Sequence, residues 1–182
     1  MNWKNTTNRY GSLSIGIHWL MLLLFIAVYA FIELRELFPK GSDPREVMKT
    51  WHFMLGMLIF VLVWPRLAAR FSGPTPVIRP KPAGWMELAA KLGHLALYGL
   101  MIVMPLLGWL TLSAAGKPIP FFGLELPALI GENKGLAKQI KELHEVIGTV
   151  GYYLIGLHVV AALYHHLFLR DNTLTLMLPE RK

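Results

Sequence analysis

The 182-residue chain contains no cysteine. That excludes disulfides, iron–sulfur clusters and thiolate metal sites, and it leaves the redox compartment unreadable from cysteines. Acidic residues are also scarce: 11 Asp and Glu stand against 18 Lys and Arg, for a formal net charge of +7. None of the acids lies deep in an apolar run, so a proton-pumping carboxylate relay is not expected. No cleavable leader is expected either. Residues 1–12 are polar and no short apolar run ends in a small-residue cleavage site, so the first apolar run should stay in the mature protein. Neither an internal repeat nor a low-complexity tract interrupts the pattern.

What the chain has in quantity is apolar length. It is 54% hydrophobic with a mean hydropathy of +0.46, and its apolar residues come in long runs rather than in alternation, as in membrane spans. The runs predict an all-α integral membrane protein: a single domain, residues 1–182, built as a four-transmembrane-helix bundle. The spans fall at about 13–34, 51–69, 90–114 and 143–169. Pro65 is expected to kink the end of the second span, and Pro105 sits in the middle of the third. The loop after the first span is turn-rich (Pro39, Gly41, Pro44). The next carries Pro74, Pro76, Pro80 and Pro82 and should be extended. The longest, 116–141, has an apolar middle with Phe121 and Phe122 that suits the lipid interface. Asp171, Asn172 or Thr173 is positioned to cap a short interfacial helix over 172–178.

The basic residues flank the apolar runs, so they are read as topology signals and lipid-headgroup contacts rather than as a nucleic-acid surface. Four spans put both termini on one side of the bilayer. That side carries ten basic residues (Lys4, Arg9, Arg66, Arg70, Arg79, Lys81, Lys91, Arg170, Arg181, Lys182) and three acids (Glu87, Asp171, Glu180), against eight basic residues on the other. Both termini are therefore expected in the cytoplasm.

Seven histidines occur, nearly all within spans, and four of them lie in residues 144–166. His144 and His158 are 14 residues apart, which on a helix means about 21 Å along the axis and within about 40° of one face. Structural zinc draws on cysteines or clustered His and acidic ligands. One histidine per helix per depth instead suits bis-histidine haem, with one axial ligand from each of two helices. On the outer side only His52 and His144 are candidates, each with a glycine four residues on (Gly56, Gly148) where a flat macrocycle can approach the backbone. On the inner side His158 is the fourth-span ligand, and its partner is His18 or His94. His165, seven residues after His158, can reach a haem carboxylate or a second ligand such as a quinone. His166 reads as an ordinary interfacial residue, and the nine methionines as packing.

These residues resemble the bacterial cytochrome b561 family. The resemblance is carried by IHW at 17–19, ELRELFPKG at 33–41, the segment from His52 to Gly56, LGHLALY at 92–98, HEVIGTVGYYLIGLH at 144–158 and HHLFLRDNTLTLMLP at 165–179. It implies a bundle holding two haem b groups, with His18 and His158 on the cytoplasmic haem iron and His52 and His144 on the periplasmic one. It thereby selects His18 over His94 and turns His94 into a quinone-site candidate. It also implies residence in the bacterial inner membrane and electron transfer between a donor and the quinone pool. A superoxide:ubiquinone oxidoreductase is the activity it makes available, and no side chain is singled out as catalytic. The alternative is a haem-bearing anchor that relays electrons for a partner enzyme.

Two further sets complete the expectations. His165, His94, Arg66 and Arg70 are candidates to line a quinone site, since a quinone carbonyl needs hydrogen-bond donors and its reduction needs protons. Lys134, Lys138, Lys141, Arg45 and Lys49 can steer a small anionic donor inward, or can simply form a solvated loop face balanced by Glu46, Glu132 and Glu142.

Overall fold

The computed structural model describes residues 3–179, so Glu180, Arg181 and Lys182 of the charge comparison lie outside the described residues. Four helices dominate: α1 (Ser12–Leu34), α2 (Asp43–Phe71), α3 (Gly84–Ala114) and α4 (Lys134–Tyr164). Between α3 and α4 a small antiparallel pair, β1 (Pro120–Phe121) and β2 (Leu124–Glu125), sets Phe121 opposite Leu124. All four helices are long and apolar enough to cross a membrane. Their outward faces carry large apolar side chains such as Leu23, Leu157 and Val160, each more than half exposed. Exposure on that scale is an association hazard in water and costs nothing against lipid tails.

Three helices start before their apolar stretches do: at Asp43 rather than 51, at Gly84 rather than 90, and at Lys134 rather than 143. The added turns are held by local terms. Asp43 and Glu46 stand in the first turn of α2, where the helix dipole favours acids. Asn133 caps α4 by accepting the Leu136 N–H at 3.0 Å. Pairs at helical spacing, Lys138–Glu142 and Lys141–Glu145, line the turns that follow. Pro65 and Pro105 both lie inside continuous helices.

The chain divides into two compact units, and each helix contributes a segment to both. The first comprises Met1–Leu20, Val63–Gly99 and Val150–Lys182; the second comprises Met21–Leu62 and Leu100–Thr149. In the first unit the polar lead is stapled down by Asn5. Its buried amide donates to the Ala69 carbonyl at 3.1 Å, and its oxygen accepts from the Gly11 N–H (3.0 Å) and the Ser14 hydroxyl (2.8 Å). Gly11 passes so close to the Trp3 carbonyl that a Cβ there would collide with it. Replacing Asn5 with alanine leaves buried donors and acceptors unpaired, a cost of about 1–3 kcal/mol. A lowered unfolding midpoint in detergent is expected for Asn5→Ala, with little change for exposed Asn8→Ala.

The same unit ties down the C-terminal tail. The Trp19 indole donates to the Met177 carbonyl at 2.7 Å and Arg9 donates to the Leu178 carbonyl. Asn172 grips the proline-rich loop through the Arg79 N–H (2.7 Å) and the carbonyls of Val77 and Arg79 (3.2 Å each). The helix expected over 172–178 is accordingly reduced to one 3-10 turn, Thr175–Met177. The carbonyls of Asn172, Leu174 and Thr175 still accept from N–H groups within the segment, while the Asn172 side chain and the Met177 and Leu178 carbonyls are drawn to partners outside it.

In the second unit Arg45 is buried. It donates to the carbonyls of Arg35 (3.1 Å) and Phe38 (3.0 Å) and pairs with Glu36 at 2.7 Å. It locks the turn between α1 and α2 and is not free to steer a ligand. The β1–β2 turn places Phe122 and Gly123 at positive φ (47° and 86°), a hairpin turn that glycine accommodates without strain. Trp51 stacks on Phe31 and meets Phe122 edge-on.

Candidate cofactor sites: a histidine pair in each unit

In the second unit α2 supplies His52 and α4 supplies His144, with ring centroids 6.2 Å apart and planes at 77°. Two imidazoles sharing one metal atom through bonds of about 2.0 Å have centroids roughly 6.3 Å apart. The His52 Nδ1–H donates to the Val28 carbonyl at 3.0 Å. That bond fixes the tautomer and leaves Nε2 with its lone pair, the state a metal ligand requires. The His144 Nδ1 is buried with no hydrogen-bond partner among the described residues. Gly108 of α3 faces the ring, its notional Cβ 3.6 Å from His144 Cε1. Beyond its chain neighbours and its own helix backbone, no atom of the described residues lies within 4 Å of where a Gly56 Cβ would stand. Gly148 has a different explanation: a Cβ there would press on the Met104 methyl at 3.3 Å, and its carbonyl accepts from the Tyr29 hydroxyl at 2.9 Å.

In the first unit three histidines converge. His158 of α4 lies 6.2 Å from His18 of α1 and 5.7 Å from His94 of α3, centroid to centroid. The separation expected for a shared metal is met by His18 and undershot by His94. Arg66 of α2 donates from Nη2 to His18 Nδ1 at 2.9 Å and lies against the Tyr98 ring at 5.8 Å. Arginine only donates, so in this arrangement His18 Nδ1 accepts and its Nε2 carries the ring hydrogen. Binding a metal through Nε2 requires that this contact be exchanged. Arg66 is ready for exchange: among the described residues its Nε and Nη1 are buried without a hydrogen-bond partner, a demand that an anionic acceptor satisfies best.

The four quinone-site candidates separate. Arg66 and His94 join the His18–His158 cluster. Arg70 donates to the Thr75 hydroxyl at 2.7 Å, toward the proline-rich loop. His165 has its own set: Nδ1 bonds Asp171 Oδ2 at 2.5 Å, and the Thr173 hydroxyl lies 3.4 Å from the same nitrogen. Among the described residues it makes no hydrogen bond or ring contact with the other three. Asp171, which sequence reading saw only as a helix cap, is the partner of His165. Its one visible signal was a carboxylate soon after a histidine, at a spacing that no regular helix brings together. The loop lysines are all locally paired: Lys49 with Glu46 (2.6 Å), Lys134 with Glu132 (3.7 Å), Lys138 with Glu142 (3.8 Å) and Lys141 with Glu145 (2.5 Å). That favours the solvated loop face over a steering funnel.

Both sites fit haem. Among the described residues no three His, Asp or Glu side chains are grouped to hold a metal by themselves. Two imidazoles facing each other therefore suit a metal that brings its own ring of ligands. His52 presents the correct tautomer, Gly108 and Gly56 keep side chains off the neighbouring backbone, and the orphaned donors of Arg66 suit a haem carboxylate.

Comparison with known proteins agrees. Residues 9–180 match the sequence profile of prokaryotic cytochrome b561. The protein called cytochrome b561 homolog 1 of Escherichia coli (strain K12) is 38% identical over 175 residues, covering 96% of this chain and 99% of that one. The probable superoxide oxidase CybB of Yersinia pestis is 40% identical over 174 residues, covering 96% and 98%. Cytochrome b561 homolog 2 of Escherichia coli (strain K12) is 30% identical over 179 residues, covering 98% and 95%. The chain is thus a member of the prokaryotic cytochrome b561 family, a multi-pass bacterial membrane protein whose helical bundle binds b-type haem and carries electrons.

Proposed function

We propose that the protein is a superoxide:ubiquinone oxidoreductase carrying two haem b groups. His52 and His144 are the axial ligands of one haem, and His18 and His158 those of the other. The observation that carries this reading is the recurrence of a 6.2 Å histidine pair, once in each unit, always with one member on α4. The resemblance to a probable superoxide oxidase supports the choice of donor. The charge bias of the sequence favours cytoplasmic termini, with His52 and His144 near the outer surface.

Haem, when bound, supplies a one-electron carrier in apolar surroundings. The chain's own residues do the rest. The Val28 carbonyl orients the His52 ring. Arg66, now on His18, would turn its unpartnered nitrogens to a haem carboxylate. His165 offers a proton where quinone is reduced. Two superoxide anions each lose one electron to become dioxygen, and the quinone takes both electrons with two protons to become quinol. Purified protein is expected to hold two haems per chain, show a b-type α band and reduce a short-chain ubiquinone with superoxide and no partner. A single haem, or turnover only with a co-purifying partner, contradicts this reading; the second result favours an electron-relaying anchor.

A further inference from the structure

Asp171 follows His165 by six residues, a spacing that puts side chains on different faces of a helix. The chain brings them together by leaving the helix. α4 opens into a wider π turn at His165–Leu169, and Arg170 adopts a left-handed conformation with φ 53°. Asp171 then folds back on His165, its side chain 2% exposed and that of the histidine 17%. Both carboxylate oxygens are engaged: Oδ2 by His165 Nδ1 at 2.5 Å and Oδ1 by the Thr173 N–H at 2.9 Å. Nδ1 is therefore committed as a donor, and Nε2 is the one ring nitrogen left to exchange protons.

Burial alone pushes the Asp171 carboxyl up. The Thr173 and His165 hydrogen bonds outweigh it and hold the group below the ordinary value of 3.8. The sign is that of a depressed acid: the carboxylate is charged at every pH above its ordinary value and is neutralised only as pH falls below it. Among the described residues, His166, Arg79 and Arg170 also stand at this corner. With Asp171, Asn172 and Thr175 they line an open groove of about 350 Å³. Tyr164 packs edge-on to His165 at 6.5 Å.

We propose that Asp171 is a positioning residue for proton delivery: it holds His165 with Nε2 as the donor to bound quinone. The proposal rests on the reading that quinone is reduced beside His165. For each quinone two protons pass from water through Nε2, matching two electrons from two donor molecules. The carboxylate balances the ring's charge whenever it carries both protons.

The test is a pH profile of ubiquinone reduction by the purified, haem-loaded protein with superoxide as donor. Asp171→Asn keeps the shape and removes the charge. Its turnover is expected to fall about tenfold near pH 8 and to recover toward pH 6, with KM for quinone, haem content and haem absorption unchanged. Asp171→Glu is expected to restore the high-pH limb. His165→Gln is expected to be slow at every pH, by about a hundredfold. If His165→Gln is slow while Asp171→Asn matches the wild type, the role of Asp171 is refuted and the quinone reading stands. If His165→Gln turns over normally, the quinone reading itself fails. Loss of haem from Asp171→Asn, or a uniform loss of rate with no change in profile, makes the residue structural and overturns the proposal.

Discussion

Substituting His144 with leucine is expected to halve the haem content, from two per chain to one, and to lower superoxide-driven quinone reduction by at least about a hundredfold. Leucine fills most of the imidazole's volume, so α3 and α4 should stay packed where Gly108 faces the ring. What disappears is the nitrogen opposite His52 at 6.2 Å centroid separation. His52 cannot compensate, because its Nδ1 is committed to the Val28 carbonyl and it can offer only one ligand atom. His52→Leu is expected to give the same half-loaded spectrum. In both variants the remaining α band should be that of the haem held in the first unit. Retention of both haems after either substitution would falsify the ligand assignment, and loss of both would show that the two units do not load independently.

The second large effect concerns Arg66, whose removal is expected to lower the midpoint potential of one haem only. A buried guanidinium stabilises the reduced, more negative form of a nearby redox centre. Replacing Arg66 with methionine, which keeps most of the stem, removes that charge. A change of about 1–2 kcal/mol in the electron's energy corresponds to roughly 45–90 mV for a one-electron couple. Arg66→Lys should recover part of the shift, since lysine keeps the charge without the planar fork that presents Nε and Nη1 together. A redox titration resolving both α bands reads the result directly. A shift in the His52–His144 haem, or none in either, would show that Arg66 belongs to the quinone rather than to the cofactor.

The parts of the fold that came through from sequence are those governed by one strong term. Long apolar runs can only be helices in a bilayer, so four helices were legible together with the loops between them. Their polar starts were not, because Asp43, Gly84 and Lys134 begin turns held by capping, dipole and ion-pair terms of a few tenths of a kcal/mol each. Among the histidines, spacing brought out His144 and His158 on one helix. It left His18 and His94 open, and the structure shows why: both rings stand beside His158, and only half an ångström of centroid separation distinguishes them. Arg45 looked like a steering charge and is a turn lock. Asp171 looked like a cap and does hold the Thr173 N–H, but its contact with His165 depends on a left-handed Arg170 that no local preference announces.

Both histidine pairs draw their second member from α4, which is made after the three helices that carry their partners. A nascent chain that has inserted α1, α2 and α3 displays His18, His52 and His94 yet holds no facing pair from either site. Neither pair can form before α4 is inserted, so both become available in a single insertion event. A chain stalled before α4 is accordingly expected to bind no haem through either pair, and a haem assay on such a fragment checks it.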